Sequence, residues 1–394
     1  MSALAQLYQT EGHTVSGSDR VGGPTMDMLE KKGVHVIVGQ RAENVPANAD
    51  LVVYSDAIHT DHPERMRAAE LGTREISYFK ALGEVSAGRM TIAVSGTHGK
   101  TTTTAMLVKI LKDAGKNPSA VIGSLVKDFD SNFVHGDHNL FVVEACEWRD
   151  HLLELRPQVL VITNIEWDHT DWFKTEADMR ATFQKAIDSI PPGGKVIDAS
   201  VYQAEPEFEL QLIGEFNKNN ARAAAAAAKA VFPDITNEQI AESLKTFHGT
   251  WRRFEYKGQT KAGAVVYDDY AHHPTAIRET IKGVREKFPD KKIVIAFHPH
   301  LYSRTRDLMQ DFARAFDGAD SVVLAPIFAA REDPVNGVTS EVLAQKINNA
   351  KPNLAKAVPS LDAVYDELAS VGADSLIITM GAGDIYKVAD RLIA

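Results

Sequence analysis

No stretch constrains this chain more than Val94-Ser95-Gly96-Thr97-His98-Gly99-Lys100-Thr101-Thr102-Thr103-Thr104. The β-branched and apolar run Thr91–Val94 predicts a buried strand. The pattern Ala105-Met106-Leu107-Val108 and Ile110-Leu111 predicts a helix. Strand, glycine loop, lysine, hydroxyl and helix follow in the order a phosphate cradle needs. Glycines let backbone N–H groups close around an anion at a helix N-terminus, where the helix dipole also favours negative charge. Lys100 can reach terminal phosphates, and the hydroxyl of Thr101 or Thr102 can take a Mg²⁺ coordination position. Only Thr97 and His98 separate Gly96 from Gly99, so the loop is tighter than the common Walker spacing.

Composition bounds what surrounds that loop. A chain of 394 residues predicts two or three domains. Its net charge of −10 argues against non-specific nucleic-acid binding. Cys146 is the sole cysteine, which excludes an intrachain disulfide and fits a reducing cytoplasm. No apolar run approaches the length of a membrane span, so a cytoplasmic protein without membrane insertion is expected.

The chain before the loop alternates helix and strand. Ser2–Gln9, Thr25–Lys32 and Pro63–Leu71 predict helices, while His13–Asp19, Val34–Val38 and Leu51–Ser55 predict strands. This alternation predicts a parallel, Rossmann-like sheet. Such sheets open on a strand and glycine loop, and this sequence starts past that point, so it reads as N-terminally truncated. Ser16–Asp19 is placed either to contact a nucleotide or to serve as a plain turn. Ala87-Gly88-Arg89 reads as a linker.

Beyond the loop, Asn139–Glu144 and Val159–Asn164 predict two more strands with polar ends, where open α/β sheets place ligands. Glu144 is a candidate metal ligand. Asn164-Ile165-Glu166-Trp167-Asp168-His169 presents a carboxylate and an imidazole together. Asn217 and Asn220 precede an alanine-rich helix and could read an adenine edge, or Asn217 could be its N-cap. A third unit alternates again, with polar clusters Asp268–Pro274, His298–Arg304 and Gly381–Asp384 after predicted strands. Four histidines in two of these loops fit no zinc spacing, and a hydrogen-bonding lining of a cleft is expected.

Together these residues resemble the Mur ligase family, ATP-dependent amide-forming enzymes of peptidoglycan precursor assembly. The resemblance is carried by Gly96–Thr104, Glu144-Ala145-Cys146-Glu147, Thr163–His169, Arg252-Arg253-Phe254-Glu255 and Asp268–Thr275, and by Ser16-Gly17-Ser18-Asp19 near the start. It implies a three-domain α/β protein. Residues 1–88 would form a Rossmann-like domain for the UDP-sugar, 89–245 a central ATP-binding phosphate-loop domain, and 246–394 a Rossmann-like amino-acid domain. ATP and Mg²⁺ are the implied cofactors. UDP-N-acetylmuramate and L-alanine are the implied substrates, and a monomer or homodimer the implied state.

Under the same resemblance Gly96, Thr97, His98, Gly99, Lys100, Thr101 and Thr102 would bind ATP, with Lys100 on the β/γ-phosphates. Thr101 and Glu144 would hold one Mg²⁺, and His169 a second metal. Asn217 and Asn220 would meet adenine, with Arg253 and Asp269 reaching ATP from the last domain. His272 and Arg304 would lie near the incoming amino acid, forming the catalytic set with Lys100 and His169. Ser18, Asp19 and Ser55 would contact the UDP-sugar. The sequence departs from the family at its missing opening strand, at the short Gly194–Gly214 segment, and at Cys146, Trp148-Arg149 and Leu301. Leu301 stands where an arginine is usual, which bears on amino-acid choice. The alternatives are a relative that adds glycine, serine or a recycled peptide, and a non-catalytic nucleotide-binding relative.

Overall fold

The computed structural model describes residues 1–199 and 207–394. Part of the short Gly194–Gly214 segment therefore lies outside the described residues.

The central sheet positions the phosphate loop. Its strands are β5 (Met90–Ser95), β6 (Pro118–Val126), β7 (Ser131–Val134), β8 (Asp137–Glu144), β9 (Val159–Ile162) and β10 (Lys195–Asp198), counting from four earlier strands. They run in the order β10-β9-β5-β8-β6-β7, parallel except for β7. Val94 pairs with Glu144 and Ser95 with Ile162. This register brings the phosphate loop, Glu144 and the 163–169 loop out on one edge of the sheet. Alternate residues face opposite layers, as strand geometry requires. Ile92, Val94, Val142 and Val161 pack against the helices Lys100–Asp113 and Glu215–Val231. Ala93, Phe141, Val143 and Leu160 face the other way, onto Met179 and Phe183 of the helix Glu176–Asp188.

That second layer also takes up elements from the start of the chain. Leu4 and Leu7 of the helix Ser2–Thr10, and Leu82 and Val85 of the helix Tyr78–Ser86, belong to the central core. The expected linker is likewise fastened: Arg89 is buried, donates to Glu11 Oε1, and sits over the Phe141 ring.

The amino-terminal strands are β1 (Ser16–Asp19), β2 (His35–Val38), β3 (Leu51–Tyr54) and β4 (Arg74–Ser77). The sequence predicts one parallel sheet, and the pairing is parallel, but it forms two separate ladders, β1–β2 and β3–β4. No strand among the described residues joins β1 to β3. The strand expected from His13 begins at Ser16, the first residue in register with β2, although Val15 C=O already accepts from His35 N–H.

The carboxy-terminal sheet contains β11 (Glu255–Gln259), β12 (Val265–Asp269), β13 (Lys292–Phe297), β14 (Ser321–Leu324), β15 (Ala355–Ala357) and β16 (Ser375–Met380), in the order β11-β12-β16-β13-β14-β15. Only β11 is antiparallel. Met380 pairs with both Asp269 and Phe297, so the three polar loops after β12, β13 and β16 share one edge. That edge faces the ligand edge of the central sheet.

Candidate active site

Gly99 adopts φ +82° and starts the helix Lys100–Asp113, whose first intrahelical bond runs from Thr103 N–H to Gly99 C=O. The N–H groups of Lys100, Thr101 and Thr102 therefore lack intrahelical partners and point out of the helix end. A Cβ on Gly99 would meet Asn220 Oδ1 at 2.1 Å, and one on Gly96 (φ +125°) would meet Thr163 Oγ1 at 2.1 Å. Both glycines are required by close approach as well as by conformation. The loop is anchored from behind, since Asn164 C=O accepts from Thr97 N–H and Asn164 Oδ1 from His98 N–H.

Lys100 Nζ donates to the carbonyls of Gly96 and Thr97 and to both oxygens of Glu147, at 3.0 and 2.8 Å. Glu147 is fully buried, and its Oε1 lies 3.4 Å from His169 Nε2. Burial opposes the Glu147 charge, yet Lys100 and His169 hold its pKa below the ordinary value. Thr101 Oγ1 donates to Glu144 Oε1 at 3.0 Å, and Gly123 N–H donates to Glu144 Oε2 at 2.7 Å. The His169 backbone is left-handed (φ +52°), and its Nδ1 is buried without a partner. A hydroxyl on a carboxylate at an anion-ready helix end fits a Mg²⁺–triphosphate group, and His169 offers an imidazole nitrogen without a partner among the described residues.

The carboxy-terminal domain adds a second cluster. Arg304 is buried and donates from Nε to Asp168 Oδ1 at 2.8 Å and from Nη1 to His300 Nδ1 at 3.0 Å. Its Nη2 has no partner among the described residues. Asp168 stays ionised well below the usual carboxylate range: burial opposes this, and Arg304 overcomes it. His272 bonds through Nδ1 to Tyr270 C=O at 2.9 Å, so Nδ1 carries the proton and Nε2 a lone pair. Burial pushes its pKa well below the ordinary histidine value. Lys100, Glu147, Asp168, His169, His272 and Arg304 thus form one chain of contacts across two domains.

Other expected residues sit differently. His98 turns its ring away from the phosphate cradle and onto Glu166, with Nε2 2.9 Å from Oε2. Asn217 is not an N-cap: the helix starts at Glu215 after Gly214, and Asn217 donates from inside it to Ile213 C=O. Asn220 is buried and accepts from Thr103 Oγ1, so both amides are engaged beneath the loop. Asp269 accepts from the N–H groups of Phe254 and Ala271, and burial raises its pKa to about 6 despite Arg253. Arg253 lies 5.1 Å from the Tyr270 ring, whereas its neighbour Arg252 is buried on Asp268 and on the carbonyls of Gly381 and Gly383. Ser18 donates to Glu64, Asp19 accepts from Val21 N–H, and Ser55 Oγ accepts from Ala57 N–H, all in the amino-terminal domain.

Sequence reasoning did not single out Gly123 or Arg331, and it met Glu147 only inside a motif. Arg331 sits 4.4 Å over the Trp148 ring and pairs with Asp171, which also accepts from Trp148 Nε1 at 3.1 Å. The departure at Trp148 therefore builds a contact between domains beside His169. Leu301 is buried with φ +70° and accepts from Thr305 at the start of the helix Tyr302–Asp307. Burial pushes the Cys146 thiol up to about 12, which makes it a poor nucleophile.

Fold and site define a three-domain α/β protein with a phosphate loop opposed by a basic and imidazole-rich edge. The chain belongs to the Mur ligase family. Residues 1–90 match its profile described as "Mur ligase family, catalytic domain", 94–202 the "Mur ligase middle domain", and 252–383 "Mur ligase, glutamate ligase domain". The chain is 38% identical to the UDP-N-acetylmuramate–L-alanine ligase of Desulfitobacterium hafniense, with 100% of this chain and 97% of the relative covered. It is 35% identical to the ligase of the same name from Agathobacter rectalis, covering 100% and 95%. Among solved structures, the UDP-N-acetylmuramate-alanine ligase of Thermotoga maritima superposes with TM-score 0.82 at 25% identity, covering 100% of this chain and 95% of that one.

Proposed function

We propose that this chain is an ATP-dependent ligase that joins L-alanine to the carboxylate of UDP-N-acetylmuramate, a step of peptidoglycan precursor synthesis. The observation that carries the reading is the continuous contact from Lys100 through Glu147 and His169 to Asp168, Arg304 and His272. It joins a phosphate-binding lysine to an amino-acid-ready guanidinium, in a chain similar over its whole length to ligases of that name.

Residues 1–88 are assigned to the sugar nucleotide through Ser18, Asp19 and Ser55, 89–245 to ATP, and 246–394 to the amino acid. The free N–H groups after Gly99 and the Lys100 ammonium receive the phosphates. Thr101 and Glu144 would hold one Mg²⁺ and His169 a second metal, which together would neutralise phosphate charge and orient the transferring group. Adenine contacts by Asn217 and Asn220 require those amides to exchange their internal bonds; Arg253 and Asp269 approach ATP from the opposite side. The carboxylate attacks the γ-phosphorus of ATP, giving an acyl phosphate and ADP. The Arg304 Nη2 donor orients the amino-acid carboxylate. His272 Nε2, kept neutral by burial, accepts a hydrogen bond that orients the incoming amino group. The amino acid reacts as its free amine, its ammonium proton having gone to solvent before closure, and the amine pair attacks the acyl carbon and expels phosphate. Contacts between the domains exclude water from the acyl phosphate. No helix among the described residues is long and apolar enough to cross a membrane, and a lone inert thiol fits a cytoplasmic setting.

The test is phosphate release from ATP with Mg²⁺ and UDP-N-acetylmuramate across alanine, glycine, serine and a muramyl tripeptide. The expected result is release that needs both L-alanine and the sugar nucleotide, reduced about 100-fold or more in Lys100→Ala and Glu144→Ala. Preference for glycine, serine or tripeptide overturns the alanine assignment, and silence with every acceptor overturns the ligase reading.

A further inference from the structure

Where the His98 ring turns away from the phosphate cradle, a side-chain cluster lies between the central and carboxy-terminal domains. Three potential ligand atoms, one each from His98, Glu166 and His273, all fall within 4.8 Å of one another. His98 Nε2 is 2.9 Å from Glu166 Oε2, and His273 Nδ1 is 4.0 Å from the same oxygen. We propose that His98, Glu166 and His273 bind one divalent transition-metal ion of the zinc class, which clips the two domains together.

Two imidazoles and a carboxylate suit zinc or cobalt rather than magnesium, which takes oxygen ligands and keeps much of its water. Zinc holds such atoms at about 2.0–2.1 Å, so tetrahedral ligands stand roughly 3.3 Å apart. The present spacings straddle that value, and small side-chain rotations would meet it. The ion would replace the proton now shared between His98 and Glu166.

The surroundings already orient each ligand. His273 Nε2 lies 3.3 Å from Trp167 C=O, a contact that needs the proton on Nε2 and leaves the lone pair on Nδ1. Thr275 N–H points at that lone pair at 3.3 Å, a long bond that metal would displace. Thr275 Oγ1 donates to Glu166 Oε1, and Arg278 donates to Thr275 Oγ1, leaving Oε2 for the ion. Histidine ligands whose other ring nitrogen donates to a carbonyl, and carboxylates fixed by hydroxyls, are the usual support of metal sites. The His98 and His273 rings already stand 4.8 Å apart. Burial keeps His273 neutral, the state that ligates, and hydrogen bonds from His98 and Thr275 keep Glu166 ionised, with a pKa of about 2 against burial. Solvent reaches the site, because the His98 and Glu166 side chains are 23% and 38% exposed.

The site uses none of Thr101, Glu144 and His169.

The test titrates the chelator-treated full chain with CoCl₂ and follows visible absorption, then displaces cobalt with ZnCl₂. The expected result is one Co²⁺ per chain with the intense bands of a four-coordinate site, bleached by one equivalent of zinc. His98→Asn and His273→Asn, confirmed folded by circular dichroism, should each weaken Co²⁺ binding about 10–100-fold or more. Asparagine at 273 can still cap the helix Pro274–Lys287. Glu144→Ala, which removes a proposed Mg²⁺ ligand, should leave the bands intact. No band in the native chain, bands that survive both histidine variants, or bands lost in Glu144→Ala alone would each overturn the proposal.

Discussion

Glu147 carries more at the residue scale than its place in a motif suggests. Wholly buried, it takes two hydrogen bonds from Lys100 and one contact from His169, and so occupies the ammonium that phosphates would claim. Glu147→Gln leaves Lys100 buried without an opposite charge, which should cost about 3 kcal/mol in a urea unfolding curve. The same change removes the competitor for Lys100, so ATP affinity measured by calorimetry should rise while stability falls. A loss of both would show that Glu147 shapes the loop rather than competing for its lysine. The histidines of the 298–304 loop set a pH dependence of their own. Burial first, then Arg304, pushes His300 down to about 3, and burial pushes His298 to about 4. Below the unfolded value of 6.5 the denatured chain binds protons that the native one refuses. Stability is therefore complete above that pH and falls from 6.5 towards 4 and then 3. Urea midpoints at pH 7, 5.5 and 4.5 should decline, and His300→Asn should flatten the decline.

Elements are joined at this site by glycines whose importance is invisible without the fold. A Cβ on Gly123 in β6 would come within 2.4–2.6 Å of the Glu144 carboxylate, on the neighbouring strand β8. Gly123→Ala should push Glu144 off Thr101 and raise the Mg²⁺ concentration for half-maximal phosphate release about 10-fold or more. Unfolding stability should change much less, because Glu144 is only half-buried. The phosphate loop was legible in the sequence since all its parts are local: a strand, two glycines, a lysine and a helix within eleven residues. Helix Pro63–Leu71 was read to its ends for the same reason. Gly123 was not legible, because its meaning is a contact across a ladder. Strands β6, β7, β10, β11 and β15 escaped notice, being edge or edge-adjacent strands without a long apolar run. Asn217 misled for a related reason: asparagine favours caps, but Gly214 with φ +83° already begins that helix. Glu144 was read from its place at a strand end, and the family signatures carried the metal role of His169 and the Arg304 assignment, while the Lys100–Glu147 pairing shows only in the fold.

Across the whole molecule, order is unequally supported. The central and carboxy-terminal sheets are each covered on both faces by apolar clusters, with β5, β9, β13 and β16 almost wholly buried. The amino-terminal ladders are only two strands each, and Val38 is 57% exposed. Parallel pairs normally sit inside a covered sheet, and isolated two-stranded ladders are marginal in water. The helices on either side behave otherwise, since Leu4, Leu7, Leu82 and Val85 are buried in the central core. Native-state hydrogen exchange should therefore cut across the order of the chain. Amides of β1 and β2 should exchange fastest among the strands, by local opening well below the global unfolding free energy. Helices Ser2–Thr10 and Tyr78–Ser86 should exchange far more slowly, with the central sheet to which they are fastened. Peptide-resolved exchange checks this directly: equal protection of β1–β2 and β5 would mean the ladders hold without a covered face. If the sugar nucleotide binds through Ser18 and Asp19, adding it should slow exchange in β1 and β2 most. A ligand that closes the central and carboxy-terminal domains alone should leave those two strands unchanged.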